Sequence, residues 1–141
     1  MTQHKTVQEM MTPDPITLPQ TASLVDAALT MRDAGIGAVV VLEGQNVCGI
    51  LTDRDIVVRG IADGCDPRST SLRDICSRDL STLSPTDQFG TAVRLMRERA
   101  IRRLPVVEGG RPVGILTIGD LAVQEDRGSA LADVSAAPPN V

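Results

Sequence analysis

The sequence holds no tryptophan, no tyrosine and a single phenylalanine, Phe89. Single-stranded nucleic acids are held by stacking bases on aromatic rings, and duplexes by clustered cations. One ring and a net charge of −4 therefore argue against nucleic-acid binding. Phe89 stands at helical spacing with Ala92, Val93 and Met96, which suits a core. Histidine occurs once, as His4 in a polar N-terminal stretch, so a His-based catalytic dyad or triad has no candidate. With no nucleophile–base pair in sight, a non-catalytic protein is expected. Cysteine occurs three times, at Cys48, Cys65 and Cys76, without the short paired spacings of a zinc site. Free thiols are expected; a redox switch is the alternative and would need one specific linkage. No apolar run approaches the length of a membrane span, and "MTQHKTVQEMMTP" lacks the apolar stretch of a secretory signal. A cytoplasmic location without a membrane partner is expected. Lysine is nearly absent beside thirteen arginines, a usage associated with GC-rich bacterial genomes.

What is present is a repeat. The chain has 141 residues, 42% hydrophobic and 23% charged, enough for a buried core. "GILTDRDIV" at Gly49 returns as "GILTIGDLA" at Gly114, and the register extends without a gap from Val7 against Leu72 to Arg59 against Gln124. An internal match of this length means duplication of a folding unit, and two copies are expected to close on each other as a pseudo-symmetric pair.

Each copy reads as strand, helix, strand, strand, helix. In the first, Ile16 to Leu18 is extended, Leu24, Ala27, Ala28 and Met31 share a helical face, Thr21 offers an N-cap and Gly35 a stop. "AVVVLEGQNVCGILT" is a hairpin with turn residues in its middle, and a second helix follows Thr52. The second copy repeats this with Ser81 to Leu83, a helix through Ala92 and Met96, the hairpin "LPVVEGGRPVGILT" and a helix from about Asp120. The organisation expected is a flexible N-terminus at 1–6, repeats at 7–62 and 72–126 joined by a linker at 63–71, and a disordered tail at 127–141. The class is α/β (α+β).

Thr52 and Asp55, like Thr117 and Asp120, fall where a strand turns into a helix. A threonine three residues before an acid is a helix-start signature. The same geometry suits a phosphate at the helix N-terminus and a ribose whose hydroxyls bond the carboxylate. Both readings stand at this point. "RLMRERAIRRLPVV" concentrates Arg94, Arg97, Arg99, Arg102 and Arg103. The first three read as a solvated helix face, whereas Arg102 and Arg103 stand between helix and strand and suit an anion. The first copy has Gly37 and Ala38 at the aligned places.

The repeated unit, the "MTPDPITL" lead, "AIRRLPVVEGGRPVGILT" and the doubled G-I-L-T-x-x-D resemble a pair of CBS domains, the Bateman module, over residues 7 to about 124. "GILTDRDIVVRGIADGCDP" is also similar to the small stand-alone bacterial CBS-pair proteins of the hypoxic-response type. The resemblance implies two β-α-β-β-α repeats packed through their sheets. It also implies a non-catalytic regulatory module sensing AMP, ADP, ATP or S-adenosylmethionine, with no cofactor required. Carried over by position, one cleft takes Thr17, Gly37, Ala38 and Val39 with Thr117 and Asp120. The other takes Thr82, Arg103, Leu104 and Pro105 with Thr52 and Asp55, and Arg102 lies in reach of the Asp120 site. Aspartate would hold ribose, threonine and arginine phosphate, and strand ends adenine. Gly37–Ala38 in place of a polar or basic pair, and Gly119 where the first copy has Arg54, make the Asp55 site the better equipped. A homodimer acting on an effector protein is implied. The alternative function is a ligand-free dimeric interaction module in a bacterial stress response, its Thr-Asp corners acting only as caps.

Overall fold

The computed structural model describes residues 5–78 and 80–125; the expected disordered tail at 127–141 and His4 lie outside them. In chain order the elements are α1 (Val7–Met10), β1 (Thr12–Pro13), β2 (Thr17–Pro19), α2 (Leu24–Ala34), β3 (Ala38–Glu43), β4 (Asn46–Thr52), α3 (Asp53–Asp55), α4 (Phe89–Arg99), β5 (Arg103–Glu108), β6 (Arg111–Thr117) and α5 (Ile118–Glu125). They form two compact units: unit 1 takes 5–15 with 81–125, and unit 2 takes 16–80. The class is mixed α/β, with a three-stranded sheet in each unit.

Unit 2 follows the expected order. β2 runs parallel to β3 and β3 antiparallel to β4, as a strand–helix–hairpin requires. Leu24, Ala27 and Met31 of α2 join Val39, Val41 and Leu51 of the hairpin in one core, the β-branched residues covering the sheet face. Ala28, expected on the buried face, is exposed: its direction lies off the stripe that Leu24, Ala27 and Met31 define. The N-cap of α2 is Ser23 rather than the expected Thr21. Ser23 Oγ accepts from Asp26 N at 3.1 Å and Asp26 Oδ2 accepts from Ser23 N at 3.0 Å, a reciprocal box that Thr21 lies too early to make. The helix expected after Thr52 begins as α3 but widens into a π-helical turn over Ile56–Ile61. Gly60 in that turn is buried so close to Leu24 that a Cβ would come within 2.8 Å of Leu24 Cδ1.

Unit 1 is built alike, with two differences. The strand expected at Ser81 to Leu83 is reduced to one bridge between Leu83 and Val106. Val40 donates its N–H to Ile16 O in unit 2, but the aligned residue here is Pro105, which has no N–H to give. At the end of α2 Gly35 takes the left-handed cap at φ 65°, while α4 ends on Ala100 at φ 53°. An L side chain pays about 1 kcal/mol for that conformation. Ala100→Gly is expected to raise the melting temperature by a few degrees in a thermal melt.

The lead of each copy packs on the other copy's unit. Val7–Pro13 belongs with the second repeat: β1 pairs with β6, and Val7 N donates to Asp87 O at 2.7 Å. The segment from Leu72 to Ser77 belongs with the first: Leu72 N donates to Ala22 O at 2.9 Å and Ser77 bridges Ile50 of β4. Val7 and Leu72 occupy equivalent places, each fully buried. Two strand glycines make room for these leads. A Cβ on Gly49 would lie 2.7 Å from Ser77 O, and one on Gly114 would lie 2.9 Å from Thr12 O and collide with Met11.

Candidate functional site

In each unit the hairpin ends on a threonine that caps the following helix. Thr52 Oγ1 accepts from Asp55 N at 3.1 Å while Asp55 Oδ2 accepts from Thr52 N at 2.9 Å. Thr117 and Asp120 repeat the pair with the same two distances, 3.1 Å and 2.9 Å. The cap reading of the sequence is thus realised twice. It leaves two groups over in each corner: among the described residues, Oδ1 of each aspartate accepts no hydrogen bond and neither threonine hydroxyl donates one. Half-buried, each corner therefore offers a carboxylate oxygen and an O–H outward from a helix start.

The register of each hairpin decides what stands beside the corner. In unit 2 Thr52 faces Ala38 and Leu51 faces Val39, and Asp53 N donates to Gly37 O at 3.0 Å. Thr17 lies on β2, opposite Val40 of the neighbouring parallel strand. In unit 1 Thr117 faces Arg103, Leu116 faces Leu104 and Ile115 faces Pro105, while Ile118 N donates to Arg102 O at 2.9 Å. Thr82 is exposed, one residue before the Leu83 bridge. Each unit thus gathers one corner with the opposing strand start: Thr52 and Asp55 with Gly37, Ala38 and Val39; Thr117 and Asp120 with Arg102, Arg103, Leu104 and Pro105.

The two corners differ electrostatically. In unit 1 the exposed guanidinium-bearing Arg102 and Arg103 flank the corner's opposing strand. In unit 2 the same places are Gly37 and Ala38, and the Asp53 carboxylate lies where a Cβ on Gly37 would meet its Oδ2 at 3.1 Å. Asp53 was missed in the sequence because it falls on an unspecified position of the repeat; its counterpart, Ile118, carries no charge. Phosphate is favoured beside the arginines and opposed beside two aspartates.

Burial pushes the Asp120 carboxyl above the ordinary aspartate range, opposed by the hydrogen bond from the Thr117 backbone N–H. A raised pKa in the folded state means that ionisation is easier in the unfolded chain. Any stability linked to this group is present at low pH and is lost as pH rises from the ordinary aspartate range through the raised value. Asp120→Asn is expected to flatten that limb, which thermal melts between about pH 4 and pH 7 will show.

The thiols are free, as expected: Cys76 is buried, Cys48 and Cys65 half-buried. Burial raises the pKa of both Cys48 and Cys76, against the lowering influence of Arg78. Thiols held protonated react slowly with oxidants, which disfavours the redox-switch alternative. Arg94, Arg97 and Arg99 are exposed along α4, in keeping with a solvated face. Among the described residues no helix is long and apolar enough to cross a membrane.

A duplicated strand–helix–hairpin unit, each copy closing on a Thr-x-x-Asp corner, defines a tandem α/β repeat module. Its repeats match the CBS domain model over residues 7–60 and 72–124. The chain belongs to the CBS domain family, as a CBS pair, and the family's members are generally non-catalytic regulatory modules. It is similar to the CBS domain-containing protein YhcV of Bacillus subtilis, 37% identical over 133 residues that cover 92% of this chain and 94% of that protein. It is also similar to hypoxic response protein 1 of Mycobacterium tuberculosis, 34% identical over 101 residues, 71% of each chain. The crystal structure of Hypoxic Response Protein I with two coordinated zinc ions has a TM-score of 0.77 and 32% identity, covering 84% of this chain and 97% of that one. Among the described residues here, no three His, Cys, Asp or Glu side chains gather to hold a metal ion.

Proposed function

We propose that this CBS pair senses an adenosine-containing ligand, AMP, ADP, ATP or S-adenosylmethionine, and signals as a cytoplasmic homodimer through an effector protein. The observation that carries the reading is the doubled corner. A cap needs one oxygen of the aspartate and the lone pair of the threonine, and both corners keep the other oxygen and the hydroxyl proton available. Ribose, with two adjacent hydroxyl donors, matches the former, and a phosphate or carboxylate acceptor matches the latter. The ligand-binding residues are Thr17, Gly37, Ala38, Val39, Thr52, Asp55, Thr82, Arg102, Arg103, Leu104, Pro105, Thr117 and Asp120, the arginines taking phosphate. A ligand acts on such a module only through unequal affinity for two states.

The test is a thermal-shift titration of the full chain with each of the four compounds. At one hundred times its Kd a ligand adds about 2.7 kcal/mol to stability, which raises the melting temperature visibly. The second reading is a ligand-free interaction module, favoured by the apolar side chains the helices leave exposed, Val57, Ile61 and Ile118 among them. It requires no shift with any of the four at millimolar concentration.

A further inference from the structure

Unit 2 carries two thiols at a place where unit 1, built from the same repeat, carries none. The β3–β4 register skips Cys48: Val41 pairs with Gly49 and Leu42 with Val47. Such a bulge re-aims a side chain. Cys76 reaches the same spot from the crossed segment, its Sγ 2.9 Å from where a Cβ would stand on Gly49, the residue next to Cys48. In unit 1 the β5–β6 register skips Val113 in the same way, and Met11 lies against Gly114 as Cys76 lies against Gly49. Val113 and Met11 pack there on the unit 1 core. The bulge and the crossed lead are thus served by apolar side chains, and neither requires a cysteine.

Polar groups stand beside the two sulfurs. Cys48 Sγ donates to Gln20 Oε1 at 3.9 Å, and Arg78 Nη2 donates to the same oxygen at 3.4 Å. Burial, and then the charge of Cys76, raises the Cys48 pKa; burial raises that of Cys76, and Arg78 draws both down. One guanidinium therefore serves both thiols. Unit 1 has Pro85 and Pro13 at the places aligned with Gln20 and Arg78. Zinc and iron–sulfur sites need four ligands, and no third His, Cys, Asp or Glu joins this pair among the described residues. Two sulfurs shielded from water beside one cation suit a soft monovalent ion, which is satisfied by two ligands.

We propose that Cys48 and Cys76 together bind one Cu(I) ion between β4 and the crossed segment, beside Arg78. Thiolate ligands select soft cations. Each thiol gives its proton to solvent as its Cu–S bond forms, and no electron moves. Two thiolates and Cu(I) carry a single negative charge, which the Arg78 guanidinium offsets, as a charge withdrawn from water requires. One ligand is on β4 and the other on the segment from Leu72 to Ser77, so the ion fastens the lead of the second repeat to the unit of the first. Neither Thr-Asp corner takes part.

The experiment adds Cu(I), supplied without oxygen as an acetonitrile-stabilised cuprous salt, to the full chain and to four variants. Native mass spectrometry counts copper per chain. With no tryptophan or tyrosine in the sequence, the ultraviolet absorption of copper thiolate is read against a low background. The parent and Cys65→Ser are expected to hold one copper per chain and to melt higher with it. Cys48→Val, which copies the bulge of unit 1, and Cys76→Ala each weaken binding more than about a hundredfold in competition with a cuprous chelator. Arg78→Gln weakens it about 10–100-fold at unchanged stoichiometry. If Cys76→Ala fails to fold by circular dichroism, Cys48→Val decides alone. Copper held undiminished by Cys48→Val, or lost equally from Cys65→Ser, overturns the site. So does a parent that takes up no copper at about 100 μM, or one copper shared between two chains.

Discussion

Asp55→Ala and Asp120→Ala each remove the ligand-induced rise in melting temperature at their own corner, while the unliganded proteins stay folded. The argument is a difference of magnitudes. Each aspartate makes one capping hydrogen bond, and losing it costs about 1 kcal/mol, a few degrees in the melt. Hydrogen bonds from ligand hydroxyls to an ionised carboxylate are worth about 1.5–3 kcal/mol each. Two from one ribose correspond to roughly a hundredfold or more in affinity. Binding thus suffers far more than folding if the corner is a site. If it is only a cap, the variants lose a few degrees and no ligand response is there to lose. Thr52→Ala and Thr117→Ala serve as the comparison, since they remove the cap's hydroxyl but leave the carboxylate. A binding defect larger in the aspartate variants than in the threonine variants assigns the ribose to the acid.

The second large effect concerns the crossed leads. Gly49→Val is expected to destabilise the chain by about 2–4 kcal/mol, because overpacking is joined by broken backbone hydrogen bonds. The added Cβ would stand 2.7 Å from Ser77 O and 2.9 Å from Cys76 Sγ. A carbonyl held in a bridge cannot swing aside like a flexible side chain, so the segment from Leu72 to Ser77 must lift. Lifting it breaks the Ser77 N to Ile50 O bond of 3.2 Å and withdraws Leu72, Ile75 and Cys76 from the unit 2 core. Gly114→Val acts alike on β1, with Thr12 O and the Met11 side chain in its way. Denaturant unfolding of both variants reads the loss, and a change below about 0.5 kcal/mol in each would mean that the leads are not held by these contacts.

Hairpins and helices were legible because their apolar residues follow periods of 2 and 3.6 locally, as Val39, Val41 and Leu51 or Leu24, Ala27 and Met31 do. The corners were legible because Thr-x-x-Asp recurs at one offset. Other features turn on contacts far apart in sequence. That Val7 packs with the second repeat and Leu72 with the first depends on pairings that no local window contains. The one trace was the glycine at both Gly49 and Gly114, strand positions where a side chain would have been unremarked unless something passed overhead. Loss of the Ser81–Leu83 strand hinged on a proline, Pro105, in its partner. The true cap of α2 was present as Ser23 with Asp26, beside a plausible rival at Thr21. The π-helical turn had no signal beyond Gly60, since Val57 and Val58 suit either helix.

The most direct test of the central claim is isothermal titration calorimetry of AMP, ADP, ATP and S-adenosylmethionine into the parent and into the double variant Asp55→Asn/Asp120→Asn. Asparagine keeps an oxygen for each cap and removes the charge that would hold ribose. The account predicts saturable binding of at least one of the four to the parent and none to the double variant. Binding that survives unchanged in the double variant, or no binding to the parent at millimolar ligand, contradicts it.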